Sequence, residues 1–161
     1  MGSLFAAVRS LVYASIIVFA FGWIALRSRA LDPQLGGTLP EWTRPPGVVL
    51  MIAGATLALV CAGTFVTLGH GTPAPFDPPR EFVAVGPYRW SRNPMAIGAL
   101  TLLFGFGLTN RSPGILGLAV VVTLALYLLV TLYEEPGLKR RFGSSYEQYL
   151  ESTPRWIPRF W

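Results

Sequence analysis

The chain has 161 residues and a formal charge of +5, with 52% hydrophobic residues and only 13% charged ones. Soluble domains carry about 25% charged residues, so this composition points to a membrane protein, and the length suits one domain. Basic flanks around apolar runs fit an anionic membrane surface rather than nucleic acid, and a single His with a single Cys offers neither a metal-ligand cluster nor an internal disulfide.

Four segments approach the roughly 20 apolar residues that cross a bilayer. They cover about 5–26, 47–68, 94–109 and 113–133. The first has an uncharged core from Ser10 to Leu26, with Arg9 able to snorkel. No small-x-small cleavage site follows it, so it reads as a retained span rather than a signal peptide. Residues 30–46 are rich in Pro and Gly and read as an exposed connector. Cys61, inside the second span, reads as a small buried hydrophobe. Prolines crowd the stretch from Gly69 to Pro79 and predict a stiff extended segment.

The third span opens at Asn93-Pro94, a good N-cap followed by the residue best tolerated at the first helical position. Gly98, Gly105 and Gly107 within it predict close packing against neighbouring helices. Only Thr109 to Gly114 separates the third span from the fourth, so the two form an antiparallel hairpin, with Pro113 starting the fourth. Beyond Glu134-Glu135, Pro136 is expected to begin a new helix. Leu138, Phe142, Tyr146, Tyr149 and Leu150 recur at helical spacing along it, an amphipathic pattern suited to the membrane surface. The ending Pro154 to Trp161 mixes aromatic and basic groups as an interfacial anchor does. The expected architecture is an all-α polytopic membrane protein of one domain, with four transmembrane helices and a C-terminal amphipathic cytoplasmic helix in a tail from 134 to 161.

Charge sets the orientation. One side carries Arg9, Arg80, Arg89, Arg92, Lys139, Arg140, Arg141, Arg155 and Arg159, and the other only Arg27, Arg29, Arg44 and Arg111. Positive residues stay cytoplasmic, so both termini are expected there, in what is best read as a bacterial inner membrane. The polar stretch from Arg80 to Gly98 then shares a face with the tail.

That face holds the candidate site. The hairpin makes the start of the third helix a neighbour of the end of the fourth, so Arg92, Asn93 and Pro94 meet Glu134 and Glu135. The helix dipole disfavours acids at a C-terminal end, so the two glutamates need a cationic partner. That partner is either Arg89, Arg92, Arg140 or Arg141, or a cationic or hydroxyl-bearing ligand. A helix N-terminus beside Arg92 on one wall and carboxylates on the other suit a zwitterion. Tyr88 and Trp90 either stack on an aromatic ring or sit in the headgroup belt.

The ordered set Gly86-Pro87-Tyr88, Arg92-Asn93-Pro94, Gly98, Glu134-Glu135, Phe142-Gly143, Tyr146, Tyr149, Arg155 and Pro158 resembles the integral-membrane methyltransferases typified by isoprenylcysteine carboxyl methyltransferase and the phospholipid methyltransferases. The resemblance implies S-adenosylmethionine as methyl donor, bound from the cytoplasm under the C-terminal segment. It places cofactor contacts on Arg80, Glu81, Phe82 and Val83, on Tyr88, on Asn93, Pro94, Met95 and Ala96, and on Glu134. Gly86, Arg92 and Glu135 are further candidates beside them. The family often has His at the position of Asn93 and Tyr at that of Ala96. Prenylcysteine enzymes tend to have an arginine, facing the substrate carboxylate, where this chain has Val130.

The implied reaction is in-line attack of an acceptor on the sulfonium methyl. The protein mainly positions the reactants and excludes water. Arg92 is a candidate catalytic residue. His70, in a Gly-His-Gly turn, either orients or deprotonates the acceptor or is a solvated loop histidine. The acceptor is expected to be hydrophobic and to enter sideways from the bilayer, with membrane lipids as the other partners. Two further readings stand beside this one: a nicotinamide-dependent membrane reductase of the sterol-reductase type, and a non-catalytic protein whose basic face binds lipid or a partner.

Overall fold

The computed structural model describes residues 2–68 and 85–158, and every regular element within them is helical. The helices are α1 (Gly2–Ser28), α2 (Arg44–Leu68), α3 (Pro94–Thr109), α4 (Pro113–Leu129), α5 (Glu135–Phe142) and α6 (Ser144–Ser152). Short 3-10 segments cover Arg29–Leu35, Glu41–Thr43 and Gly86–Arg89, and a π-turn over Val130–Glu134 joins α4 to α5.

The hairpin forms as its short turn requires. Ser112 caps α4 by accepting a hydrogen bond from the Ile115 N–H at 3.1 Å, and Pro113 takes the first helical position. α3 packs along α2 through a seam of small residues. Gly47 and Gly54 on α2 face Gly105 and Gly98 on α3. A Cβ on Gly98 would stand 2.9 Å from both the Ala58 nitrogen and the Gly54 oxygen, closer than real side chains approach backbone. Gly107 instead faces α4, where a Cβ would lie 2.6 Å from the Leu116 side chain. The glycines of the third helix are therefore packing residues.

The segment expected to be an exposed connector is docked. Asp32 is 7% exposed. Its Oδ1 accepts from the Ser112 hydroxyl at 2.7 Å and from the Gly114 N–H at 2.8 Å. A carboxylate at the N-terminus of α4 satisfies otherwise unpaired amides and suits the helix dipole. Gly114 is required there, because a Cβ would overlap the Ser28 carbonyl. Arg111 strengthens this end by donating to the Leu39 carbonyl and pairing with Glu41 at 2.9 Å.

Two described stretches are long and apolar enough to cross a membrane, Glu41–Thr64 and Pro113–Phe142, and α3 is apolar but shorter. Their outer faces expose large hydrophobic side chains, among them Val49, Ile52 and Leu59 on α2 and Val121, Leu124 and Leu132 along the α4 stretch. Apolar surface on this scale suits lipid rather than water. The second stretch is a continuous helix of 30 residues. At 1.5 Å per residue it is about 45 Å long, against a hydrocarbon core of roughly 30 Å.

This continuity corrects the expected break at Pro136. Proline lacks an N–H, and the widened π-turn just before it accommodates that loss, so α5 prolongs the fourth helix. The single amphipathic helix expected beyond Pro136 is instead two, α5 and α6. They are separated at Gly143, whose φ of 55° and ψ of −131° belong to a region that side-chain-bearing residues rarely adopt.

The glycine seam predicts unequal effects. Gly54→Ala should lower stability by roughly 1–3 kcal/mol through overpacking against the Leu102 backbone. Gly117→Ala, where nothing lies within 4 Å, should be neutral or stabilising by up to about 1 kcal/mol. Thermal unfolding in detergent measures both.

Candidate active site

The turn Gly86–Arg89 and residues 91–93 bring the chain onto the start of α3. Gly86 has φ of +59°, a turn conformation natural to glycine. Tyr88 then folds inward. It is 6% exposed and packs with buried Cys61, against Leu57 and Met95. Cys61 is thus the buried hydrophobe expected, and Tyr88 is a core wedge between α2 and α3 rather than a headgroup-belt residue. Trp90 remains exposed.

Residues 91–93 hold the C-terminal segment. The Arg92 N–H donates to the Pro154 carbonyl at 2.9 Å. The buried Ser91 hydroxyl donates toward the Arg155 and Trp156 carbonyls at 3.1 and 3.3 Å. Asn93 Nδ2 donates to the same Arg155 carbonyl at 3.1 Å. The Asn93 side chain makes no capping hydrogen bond to α3, contrary to expectation, and its Nδ2 is bonded to the tail instead. From α6, the Tyr149 hydroxyl donates to the Tyr88 carbonyl at 2.6 Å. Trp156 stacks on Tyr127 of α4, with ring centroids 6.4 Å apart.

Glu135 lies at the centre of these contacts. Its Oε1 accepts from Arg92 Nη1 and from Arg155 Nε, each at 2.8 Å, and its Oε2 accepts from Arg155 Nη2 at 2.7 Å. The carboxylate is 12% exposed and the Arg92 side chain 14% exposed. Two-point pairing of arginine with carboxylate is the strong form of the interaction. Of the partners expected for the glutamates, Arg92 is the one used. Arg89, Arg140 and Arg141 remain exposed, and Lys139 pairs with Glu147 at 2.9 Å. Arg155 completes the arrangement, and it was not foreseen as a partner. Besides its place in the ordered set above, its signal in the sequence is a position between Pro154 and Pro158, where prolines hold the chain extended.

Glu134 is the exposed member of the pair, with no ion pair or side-chain hydrogen bond to another described residue. The π-turn ends at Glu134, and the Glu135 N–H bonds back to the Val130 carbonyl. The site therefore has one paired and one unpaired carboxylate. Glu135 with its two arginines carries a net positive charge, and Glu134 beside it is negative. Three buried polar atoms in this region have no partner among the described residues: Arg92 Nε, Thr131 Oγ1 in the π-turn and Trp156 Nε1. Buried polar groups are nearly always hydrogen-bonded, so their presence fits a site that receives a polar ligand.

Gly86, Tyr88, Arg92, Asn93, Pro94, Met95, Ala96, Glu134 and Glu135 all fall within the described residues. They lie on the short turn, the start of α3 and the end of the α4 helix. Pro94 is buried, while Met95 and Ala96 are half-buried. His70, Arg80, Glu81, Phe82 and Val83 lie outside the described residues. No group of three or more His, Cys, Asp or Glu that could hold a metal occurs among the described residues.

The hairpin thus has apolar outer faces and a polar, charge-paired cluster at one end. The chain belongs to the phospholipid methyltransferase family, whose profile matches residues 43–145. That family is part of the wider group of integral-membrane methyltransferases that includes isoprenylcysteine carboxyl methyltransferase. Comparisons with curated proteins and with solved structures gave no match. The matched residues contain Arg92, Asn93, Glu134 and Glu135, while Arg155 lies beyond them.

The buried phenols make tail docking sensitive to alkali. Burial, reinforced by Glu135 and opposed by Arg92, pushes the Tyr146 pKa up to about 12, and burial raises that of Tyr149 as well. The folded state thus favours the neutral phenols. Their contribution is intact below about pH 10, the unfolded value, and is lost as pH rises through 12. Tyrosinate absorbance should show these phenols ionising late, together with release of the tail. Tyr149→Phe, which removes the hydrogen bond to the Tyr88 carbonyl, should cost about 0.5–1.5 kcal/mol and speed proteolysis beyond Gly143.

Proposed function

We propose that the protein is an S-adenosylmethionine-dependent methyltransferase acting on a lipid-like or small hydrophobic acceptor at the cytoplasmic face of the membrane. The carrying observation is the juxtaposition of an unpaired carboxylate, Glu134, with the positively charged Arg92–Glu135–Arg155 cluster, inside a phospholipid methyltransferase match. S-adenosylmethionine, when bound, supplies an electrophilic methyl on a sulfonium. Its amino-acid end is a zwitterion, and this pair of opposite charges suits it. Arg92 would hold the carboxylate. Glu134 would hold the ammonium and face the positive sulfonium side.

In this reading the chain's own residues position and enclose. The start of α3, from Asn93 to Ala96, forms one wall, and the end of the α4 helix forms the other. The docked segment from Pro154 to Trp156 closes the cytoplasmic side and excludes water, the main protein contribution to methyl transfer. A carboxylate or thiolate acceptor needs no base, whereas an ammonium acceptor must first lose a proton. His70 is the candidate for that task. Arg80, Glu81, Phe82 and Val83, in the same loop, are proposed as further cofactor contacts.

The setting proposed is the bacterial inner membrane, with four spans formed by α1 to α4. Both termini face the cytoplasm, as the excess of Lys and Arg at that end favours. The acceptor would enter sideways from the bilayer between α2, α3 and α4, and the buried Val130 of the π-turn offers an acceptor carboxylate no charge.

Calorimetric titration of the purified protein with S-adenosylmethionine tests the reading. Wild type should bind, and Glu134→Gln should weaken binding about tenfold or more, the scale of a charge-assisted contact. Unchanged affinity in Glu134→Gln would move the site away from the hairpin end.

A further inference from the structure

We infer that Arg155 is a positioning residue that keeps the charge of Arg92 available to a bound anion. This rests on the site proposed above, and it assigns a task to a tail residue beyond the family match. The geometry is unequal. Arg155 gives Glu135 two hydrogen bonds, from Nε and Nη2, and engages both carboxylate oxygens. Arg92 gives it one, from Nη1, and its Nε is buried without a partner among the described residues. Glu135 is therefore largely neutralised by Arg155, while Arg92 gives it a single bond and otherwise has the neutral Tyr146 hydroxyl beside it.

Charge counting gives the consequence. Arg92, Arg155 and Glu135 together carry one net positive charge. Removing Arg155 leaves a neutral Arg92–Glu135 pair with little attraction for a carboxylate. Removing the charge of Glu135 as well restores one positive charge, carried by Arg92 alone. The Arg155 backbone serves the same end, because its carbonyl takes the hydrogen bonds of Ser91 and Asn93 on either side of Arg92. The tail thus fixes the path of residues 91–93 while its guanidinium occupies the carboxylate that would otherwise quench Arg92.

The test compares binding of S-adenosylmethionine with binding of its decarboxylated analogue to the full-length protein. Wild type should prefer the carboxylate-bearing form by roughly tenfold, as expected for one charge-assisted contact. In Arg155→Ala that preference should fall to about twofold or less. In Arg155→Lys, which keeps the charge but not the two-point fork, it should be intermediate. The double variant Arg155→Ala/Glu135→Gln should regain most of the preference. A purely structural role predicts the opposite order, with the double variant the worst. Preference unchanged in Arg155→Ala, or lowest in the double variant, overturns the inference while leaving the cofactor site standing. Failure of wild type to bind S-adenosylmethionine overturns the cofactor reading and this inference together. Because the readout is a ratio of two affinities in one variant, partial unfolding cancels. Should Arg155→Ala not fold, Arg155→Lys and the double variant carry the same comparison.

Discussion

A carboxylate with three charge-assisted hydrogen bonds sits where three separate pieces of chain meet. Glu135 follows the π-turn of the long fourth helix, Arg92 precedes α3, and Arg155 belongs to the tail. Tyr127, one layer along α4, receives Trp156. A half-buried acid with its desolvation offset by two arginines costs a great deal if one partner is lost, because the remaining charge is left uncompensated. The end of the hairpin is therefore tied to a segment that has no helical structure of its own. The Ser91 and Asn93 side chains fix that segment by its backbone carbonyls, so the guanidinium of Arg155 is presented in one place.

The opposite end of the helices is built on the same principle with different chemistry. Asp32 satisfies the amides that open α4, and Arg111 closes the neighbouring turn. Between the two ends the packing is carried by small residues, where the backbones of α2 and α3 touch. Lipid offers little hydrophobic gain for joining helices, so close backbone contact is the force available. The polar ends then set the register that the apolar middle leaves open. Rigid ends and a tightly packed seam hold a site whose two walls come from different helices.

Much of this was legible in the sequence, and for identifiable reasons. A turn from Thr109 to Gly114 leaves no alternative to a hairpin, so the meeting of Arg92 with Glu135 followed from chain connectivity. The glycines of α3 were legible as packing residues because small residues have one dominant use between membrane helices. Long-range choices were not legible. Asp32 finds Ser112 across 80 residues, and nothing in a Pro- and Gly-rich stretch marks it as docked. Glu135 had several arginines within reach, and the path of the tail decided among them. Tyr88 looked like an interfacial aromatic because its neighbours are basic, yet a space beside Cys61 takes its ring. The π-turn has no sequence period of its own, so the continuity of the helix through Pro136 was hidden as well.

The central claim is that the methyl donor lies between the start of α3 and the end of the α4 helix, beneath the docked tail. Direct photocrosslinking of radiolabelled S-adenosylmethionine, followed by peptide mapping, tests this without a substitution and without a known acceptor. Label in peptides from 80–96 and 130–142 is the expected result, suppressed by excess unlabelled cofactor. Specific label confined to the Asp32 and Arg111 end, or to α1, would contradict it.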